Sequence, residues 1–292
     1  MSLVEFLVTA LGLGALFALL TISVALMFGI LGLMNFAYGE LILAAGLGLY
    51  LFREQPWVLA ALIALAMAAV VALLSERLAF FPLRGADPVT LMIASFAVSL
   101  ALQSLARMTV LPRTRGVPPQ EFLTRRVDLL GSRVSMLDLV TLALCTLTLV
   151  AVALLMSRTT LGVQLRAAAE NFDMARSLGV KGNRVIAAAF VIVGVLAGIG
   201  ALALVARQGA VSPSMGLQPM LIGVVGAVLG GMSNLKGAAL GGFILGIATT
   251  ALEAWLPVDL IAFRDAFLFS GLILLLVIRP QGLLAGKGVR VS

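Results

Sequence analysis

The chain predicts an all-α fold, a polytopic transmembrane helical bundle of about eight to ten membrane segments that include broken helices. Three observations lead there. Of its 292 residues 62% are hydrophobic and only 11% charged, more apolar surface than a soluble core can hide. The apolar residues fall in continuous runs rather than alternating ones, which selects helices over a barrel, because a backbone in lipid must satisfy its own hydrogen bonds. Several runs also approach the roughly 20 residues that cross a hydrocarbon core about 30 Å thick.

Taken in order, the runs place spans near residues 6–30, 36–52, 57–75, 89–106, 137–156, 185–206, 217–235, 237–255 and 265–279. The first follows Met1-Ser-Leu-Val-Glu5, which lacks the basic start of a signal peptide, and the run is too long for a signal core, so it is expected to stay attached. In the second, the clean apolar part from Leu41 to Phe52 covers only about 18 Å at 1.5 Å per residue. It must begin earlier, which draws Asn35, Tyr38, Gly39 and Glu40 to membrane depth. Polar residues there need protein or water around them, so this element should line a cavity rather than face lipid. Between Gly223 and Gly246 the run is interrupted by Gly230-Gly-Met-Ser-Asn-Leu-Lys-Gly237 and reads as a broken helix or a tight helical hairpin. Glycines four apart, Gly194 and Gly198, Gly226 and Gly230, Gly237 and Gly241, allow close backbone approach.

Two connecting segments stand out, within what reads as a single membrane domain over residues 1–292. Residues 107–136 hold six arginines with Pro112, Pro118, Pro119 and the turn-like Leu130-Gly-Ser132, and should form a small exposed hairpin cap. Residues 157–184 contain a charged amphipathic stretch that reads as one short helix. Leu161, Leu165, Ala168, Phe172 and Ala175 recur on one face, Arg166, Glu170 and Asp173 on the other, and Gly179 ends it. Such a helix could be gripped by a soluble partner through its apolar face.

Several chemistries are disfavoured. With no histidine, the usual imidazole base and most familiar zinc sites are missing. No phosphate-cradling loop of the Walker type occurs, so nucleotide hydrolysis within this chain is not expected. Cys145 lies inside an apolar run and reads as a small core residue. The net charge of +7 sits mostly in loops flanking spans, where anchoring at the bilayer surface explains it without nucleic acid.

Three regions, in order along nearly the whole chain, carry a family resemblance: Gly32-Leu-Met-Asn-Phe-Ala-Tyr-Gly-Glu40; Arg166-Ala-Ala-Ala-Glu-Asn-Phe-Asp-Met-Ala-Arg-Ser-Leu-Gly-Val180; and Gly226-Ala-Val-Leu-Gly-Gly-Met-Ser-Asn-Leu-Lys-Gly-Ala-Ala-Leu-Gly-Gly242, followed by Arg279-Pro-Gln-Gly-Leu283. With them the chain resembles the permease subunit of bacterial ABC importers for branched-chain amino acids and related compounds. The resemblance implies a transport subunit, not an enzyme, that moves substrate by alternating access. It implies no cofactor in this chain, with ATP and Mg bound by partner ATPase subunits. The implied partners are a second permease, as a heterodimer, two cytoplasmic ATPases and a soluble periplasmic binding protein. The implied location is the bacterial inner membrane. In the family the central loop is a coupling helix that inserts into a groove on the ATPase, which casts Leu161, Leu165, Arg166, Glu170, Phe172, Ala175 and Gly179 in that role and puts 157–184 in the cytoplasm. Nine passes then leave 107–136 periplasmic, the N-terminus outside and the C-terminus inside.

The candidate translocation path comprises Asn35, Tyr38, Glu40, Gly226, Gly230 and Gly231. Tyr38 stands where a histidine is often found in the family, which removes a proton-titrating group at neutral pH. Asn35 and Tyr38 either offer hydrogen bonds to a polar substrate or fix the bend between two helices. Glu40 could attract an ammonium group, favour a helix start electrostatically, or sit at the interface. A reading from another class is an ion-coupled secondary transporter for a small polar metabolite, with Glu40 carrying the proton; an intramembrane enzyme is disfavoured by the shortage of clustered acids.

Overall fold

A computed structural model describes residues 2–129, 131–232 and 234–278. The closing motif, residues 279–283, lies outside them. The described residues form helices α1 (Leu3–Leu31), α2 (Tyr38–Leu51), α3 (Trp57–Ser75), which runs on as a π-helical turn (Glu76–Phe80), and α4 (Pro88–Thr109). Strand β1 (Arg115–Gly116), the short α5 (Glu121–Thr124), β2 (Arg126–Leu129) and β3 (Ser132–Ser135) follow. Then come α6 (Met136–Arg158), α7 (Thr160–Glu170), α8 (Phe172–Ser177), α9 (Gly182–Gln208), β4 (Ala210–Val211), α10 (Leu217–Gly230) and α11 (Leu235–Trp255). A 3-10 turn (Val258–Phe263) leads into α12 (Arg264–Ile278). Among the described residues six helices are long and apolar enough to cross a membrane, and α2 and α10 are shorter apolar helices. The chain is thus an all-α polytopic protein whose strands are confined to connections.

Two compact units divide it. The first comprises residues up to Ala25, Glu121–Leu147 and the described residues from Ile222 onward. Its core is built around α1, whose middle is almost wholly buried from Ala15 to Leu20. Gly14 meets the Phe243 ring of α11, where an added Cβ would lie 2.9 Å from the ring edge. At the start of α6, the buried Asp138 accepts a hydrogen bond of 2.8 Å from Thr9 Oγ1. The expected hairpin in the arginine-rich loop is β2 paired with β3, from Arg126 opposite Ser135 to Leu129 opposite Ser132.

The second unit, Leu26–Gln120 with Thr148–Leu221, is organised around α2, α3 and α9, each packed against the other two. Sequence explains the closeness. Ala60, Ala64, Ala68 and Ala72 form a buried stripe at four-residue spacing along α3, and small residues let helix backbones approach. Gly194 of α9 faces Ala68 and Ala72 of that stripe, and Gly48 of α2 faces Ala64. Cys145, in the part of α6 that belongs to the first unit, is buried, as a core residue should be. In the second unit β1 pairs with β4, Arg115 opposite Val211.

Candidate translocation and coupling sites

The bend before α2 is made by its own polar residues. Gly32 takes a left-handed φ of 69° where α1 ends. Asn35 Oδ1 then accepts the Ala37 N–H at 2.9 Å, and the Asn35 carbonyl accepts the Tyr38 N–H at 3.2 Å. Asn35 therefore uses its side chain to turn the backbone, one of its two expected roles. The turn is pinned from outside by Ser95 of α4, whose Oγ accepts the Phe36 N–H at 3.1 Å. Tyr38 is fully buried, and Gly39 lets the Gly216 carbonyl come to within 2.8 Å of where its Cβ would stand.

Glu40 follows one residue later, 4% exposed. Its Oε1 accepts from Ser99 Oγ and from Gln103 Nε2, both at 2.8 Å. Ser95, Ser99, Gln103 and Arg107 recur every four residues on α4, so they share a face, and that face meets the α1–α2 bend and the start of α2. A carboxylate fixed between two neutral donors on an apolar helix is a polar site in an apolar setting, able to orient a cationic or hydrogen-bonding group. Sequence reasoning named Glu40 and missed its partners, although the four-residue polar spacing in an otherwise greasy helix was a visible signal.

Gly226, Gly230 and Gly231 belong to the first unit, and there the interrupted run is a helical hairpin, α10 turning into α11. Gly231 turns with φ 99°, and Asn234 caps α11 by accepting the Lys236 and Gly237 N–H groups at 3.0 and 3.3 Å. The two helices touch backbone to backbone: a Cβ on Gly230 would overlap the Gly237 carbonyl, and one on Gly241 the Gly226 carbonyl. On the other side Gly226 and Gly242 both abut Thr21 of α1.

The central segment departs from expectation in two ways. It is not one helix but two, because Asn171 adopts an extended conformation (φ −155°, ψ 104°) between α7 and α8. Its Oδ1 caps α8 by accepting the Met174 N–H at 2.9 Å, so the side chain that breaks one helix starts the next. Thr159 caps α7 in the same manner, accepting from the Gly162 N–H at 3.0 Å. At the far end Gly179 has φ 89°. Val180 N–H bonds back to the Ala175 carbonyl at 3.1 Å and Gly179 N–H to Arg176 at 3.0 Å, the paired bonds of a Schellman cap.

The second departure concerns the apolar face. Leu165 is 2% exposed, and Ala168 and Ala175 are as deeply buried, within this chain alone. Leu161 and Phe172 are half-buried, Phe172 with its ring over Gly182 at the start of α9. Through Leu165, Ala168 and Ala175 that face holds the segment to its own protein. What it presents outward is Arg166 and Glu170 together with Met174, 63% exposed, and Leu178, 81% exposed. Behind it, the wholly buried Glu76 in the π-helical turn pairs with Arg84, whose other nitrogen donates to Asn183 in the first turn of α9. These polar groups tie the 76–87 loop to the helix start on which Phe172 rests.

Long apolar helices with a buried polar bend, a glycine hairpin and a short capped helical segment are those of a multi-pass helical membrane protein. The comparisons specify it. The sequence model of the family described as "Branched-chain amino acid transport system / permease component" matches residues 6–278. The high-affinity branched-chain amino acid transport system permease protein BraD of Pseudomonas aeruginosa is 31% identical over 295 residues, covering 95% of this chain and 94% of that one. LivH of Escherichia coli K12, named likewise as a permease protein of that system, is 28% identical over 286 residues, covering 93% and 92%. A probable LivH of Methanocaldococcus jannaschii is 28% identical over 203 residues, covering 69% and 63%. The chain belongs to this permease family, and is a transport component rather than an enzyme.

Proposed function

We propose that this chain is the transmembrane permease subunit of an ATP-driven importer for branched-chain or related amino acids in the bacterial inner membrane. The observation that carries the reading is family identity over residues 6–278, nearly the full chain. In this reading the permease pairs with a second permease, two ATPases that hold ATP and Mg, and a periplasmic binding protein, and moves substrate by alternating access. In the same reading α2, α10 and α12 join the six long apolar helices as membrane segments, nine in all, with the N-terminus outside and the C-terminus inside.

The coupling segment, 157–184, is cytoplasmic in this proposal, and 107–136 periplasmic. A short stiff helix pair closed by caps at Thr159, Asn171 and Gly179 suits a part that must move as a body. Its outward residues Arg166, Glu170, Met174 and Leu178 would meet the ATPase, while Leu161, Leu165, Phe172 and Ala175 carry the motion to α9. Two elements are candidate path linings, each in its own unit: the bend with Asn35, Tyr38 and Glu40, and the hairpin with Gly226, Gly230 and Gly231.

Reconstitution tests this. The subunit alone in liposomes should take up no amino acid under any ion gradient, and the assembled complex should do so on ATP addition. Uptake by the lone subunit driven by a proton gradient would replace the importer with a secondary transporter. In the same assay Glu40→Gln, which keeps an acceptor for Ser99 and Gln103, should show whether the charge itself is needed.

A further inference from the structure

An apolar groove of about 490 Å³ opens on the outside of the second unit, where the ends of α3, α6 and α9 meet the start of α7. Leu73, Leu155, Leu161, Ala188, Val191 and Ile192 line it. The one polar side chain in the lining, Thr159, is already committed, donating to the Leu155 carbonyl at 2.6 Å and accepting from Gly162 N–H. The groove thus has no free polar group with which to read a polar solute. It suits a hydrocarbon chain.

What surrounds its loop end is different. Residues three or four apart share a helix face. Stepping one turn from the lining toward the loops leads from Leu73 to Arg77, from Leu155 to Arg158 and from Ala188 to Arg184. Two of the helices that build the groove, α6 and α9, therefore each carry an arginine one turn beyond the lining, and Arg77 follows in the π-helical turn that continues α3. Arg158 and Arg184 are exposed, with no ion-pair partner among the described residues. Arg77 lies 3.5 Å from Glu76 yet keeps 55% of its side chain exposed. Guanidinium groups recognise phosphate through paired, directional hydrogen bonds, and basic pockets between spanning helices collect anionic head groups. An apolar protein segment would instead leave these charges without partners.

We propose that this groove is a binding site for an anionic phospholipid, one acyl chain along Leu73, Leu155, Ala188 and Ile192 and the phosphodiester among Arg77, Arg158 and Arg184. Leu161, in the first turn of α7, is part of the lining. The bound lipid therefore braces that turn against α9. The proposal needs only that the chain spans a membrane and is independent of what it transports.

Native mass spectrometry of the full chain, released from mixed micelles holding equal phosphatidylglycerol and phosphatidylcholine, reads it directly. Wild type should retain phosphatidylglycerol about tenfold over phosphatidylcholine. The surface double variant Arg158→Gln/Arg184→Gln should lose that preference, and Ala188→Trp, which fills the groove, should lose retained lipid of both kinds while its helical circular dichroism stays at the wild-type value. Equal retention of both lipids by wild type, or an undiminished preference in the double variant, would overturn the proposal. So would displacement of the lipid by millimolar inorganic phosphate, which would mark a bare anion site with no acyl component.

Discussion

Two of the helix breaks in the second half of this chain, at Asn171 and at Gly231, are made by opposite means. The Asn171 break is made by a side chain: one amide ends α7 in extended backbone and caps α8, at an exposed position. At Gly231 the break depends on the lack of side chains, since α10 and α11 lie together only because Gly226, Gly230 and Gly241 have none. One break is a local hydrogen-bond choice that survives changes around it. The other is a packing agreement between backbones, and any added atom must push them apart.

That contrast can be broken first where packing rules. Gly230→Val places carbon into the Gly237 carbonyl, and should destabilise the detergent-solubilised protein by about 3 kcal/mol, the upper end of overpacking costs. Thermal unfolding measures it, and a wild-type melting curve would mean that α10 and α11 do not touch. An intermediate effect is expected at Gly179, held at φ 89°. Valine there should cost about 1–2 kcal/mol of left-handed strain, with asparagine milder, while membrane insertion stays normal and stimulated ATPase activity of the assembled complex falls. Wild-type stimulation in Gly179→Val would remove the segment from coupling. The smallest loss belongs to Asn171→Ala, about 1 kcal/mol for one helix cap. Asn171→Asp should restore it, and a loss as large as that of Gly230→Val would show that the two breaks are not different in kind.

How much of this was legible in the sequence varies with the physics involved. Every apolar run taken as a span is a helix, with ends displaced by a few residues, because continuous hydrophobicity in lipid leaves the backbone no other choice. The hairpin at Gly231 and the bend at Asn35 were also readable, since glycine pairs and a short apolar stretch have few other solutions. Asn171 was not, because the 3.6-residue pattern of Leu165, Ala168, Phe172 and Ala175 runs straight across it and only the side-chain cap breaks the helix. The inward turn of that face was hidden for a related reason: periodicity shows that a helix has an apolar side, but not whether its own protein or another covers it. Glu40 was visible, while Ser99 and Gln103 lay 59 and 63 residues away. Their pairing is tertiary, and so is that of Glu76, Arg84 and Asn183.

The length of α2 bears on how the protein is made. Fourteen residues rise about 21 Å, well short of a hydrocarbon core, and Glu40 rides in its first turn. Such a segment is a poor candidate to leave the translocation channel sideways into lipid by itself. Its neighbours, α3 and α9, supply the walls it lacks, and α9 is synthesised long after α2 has emerged. The Asn35–Glu40 bend should therefore reach its final depth late in biogenesis, once α9 arrives, making α2 a part of the protein that is assembled rather than inserted.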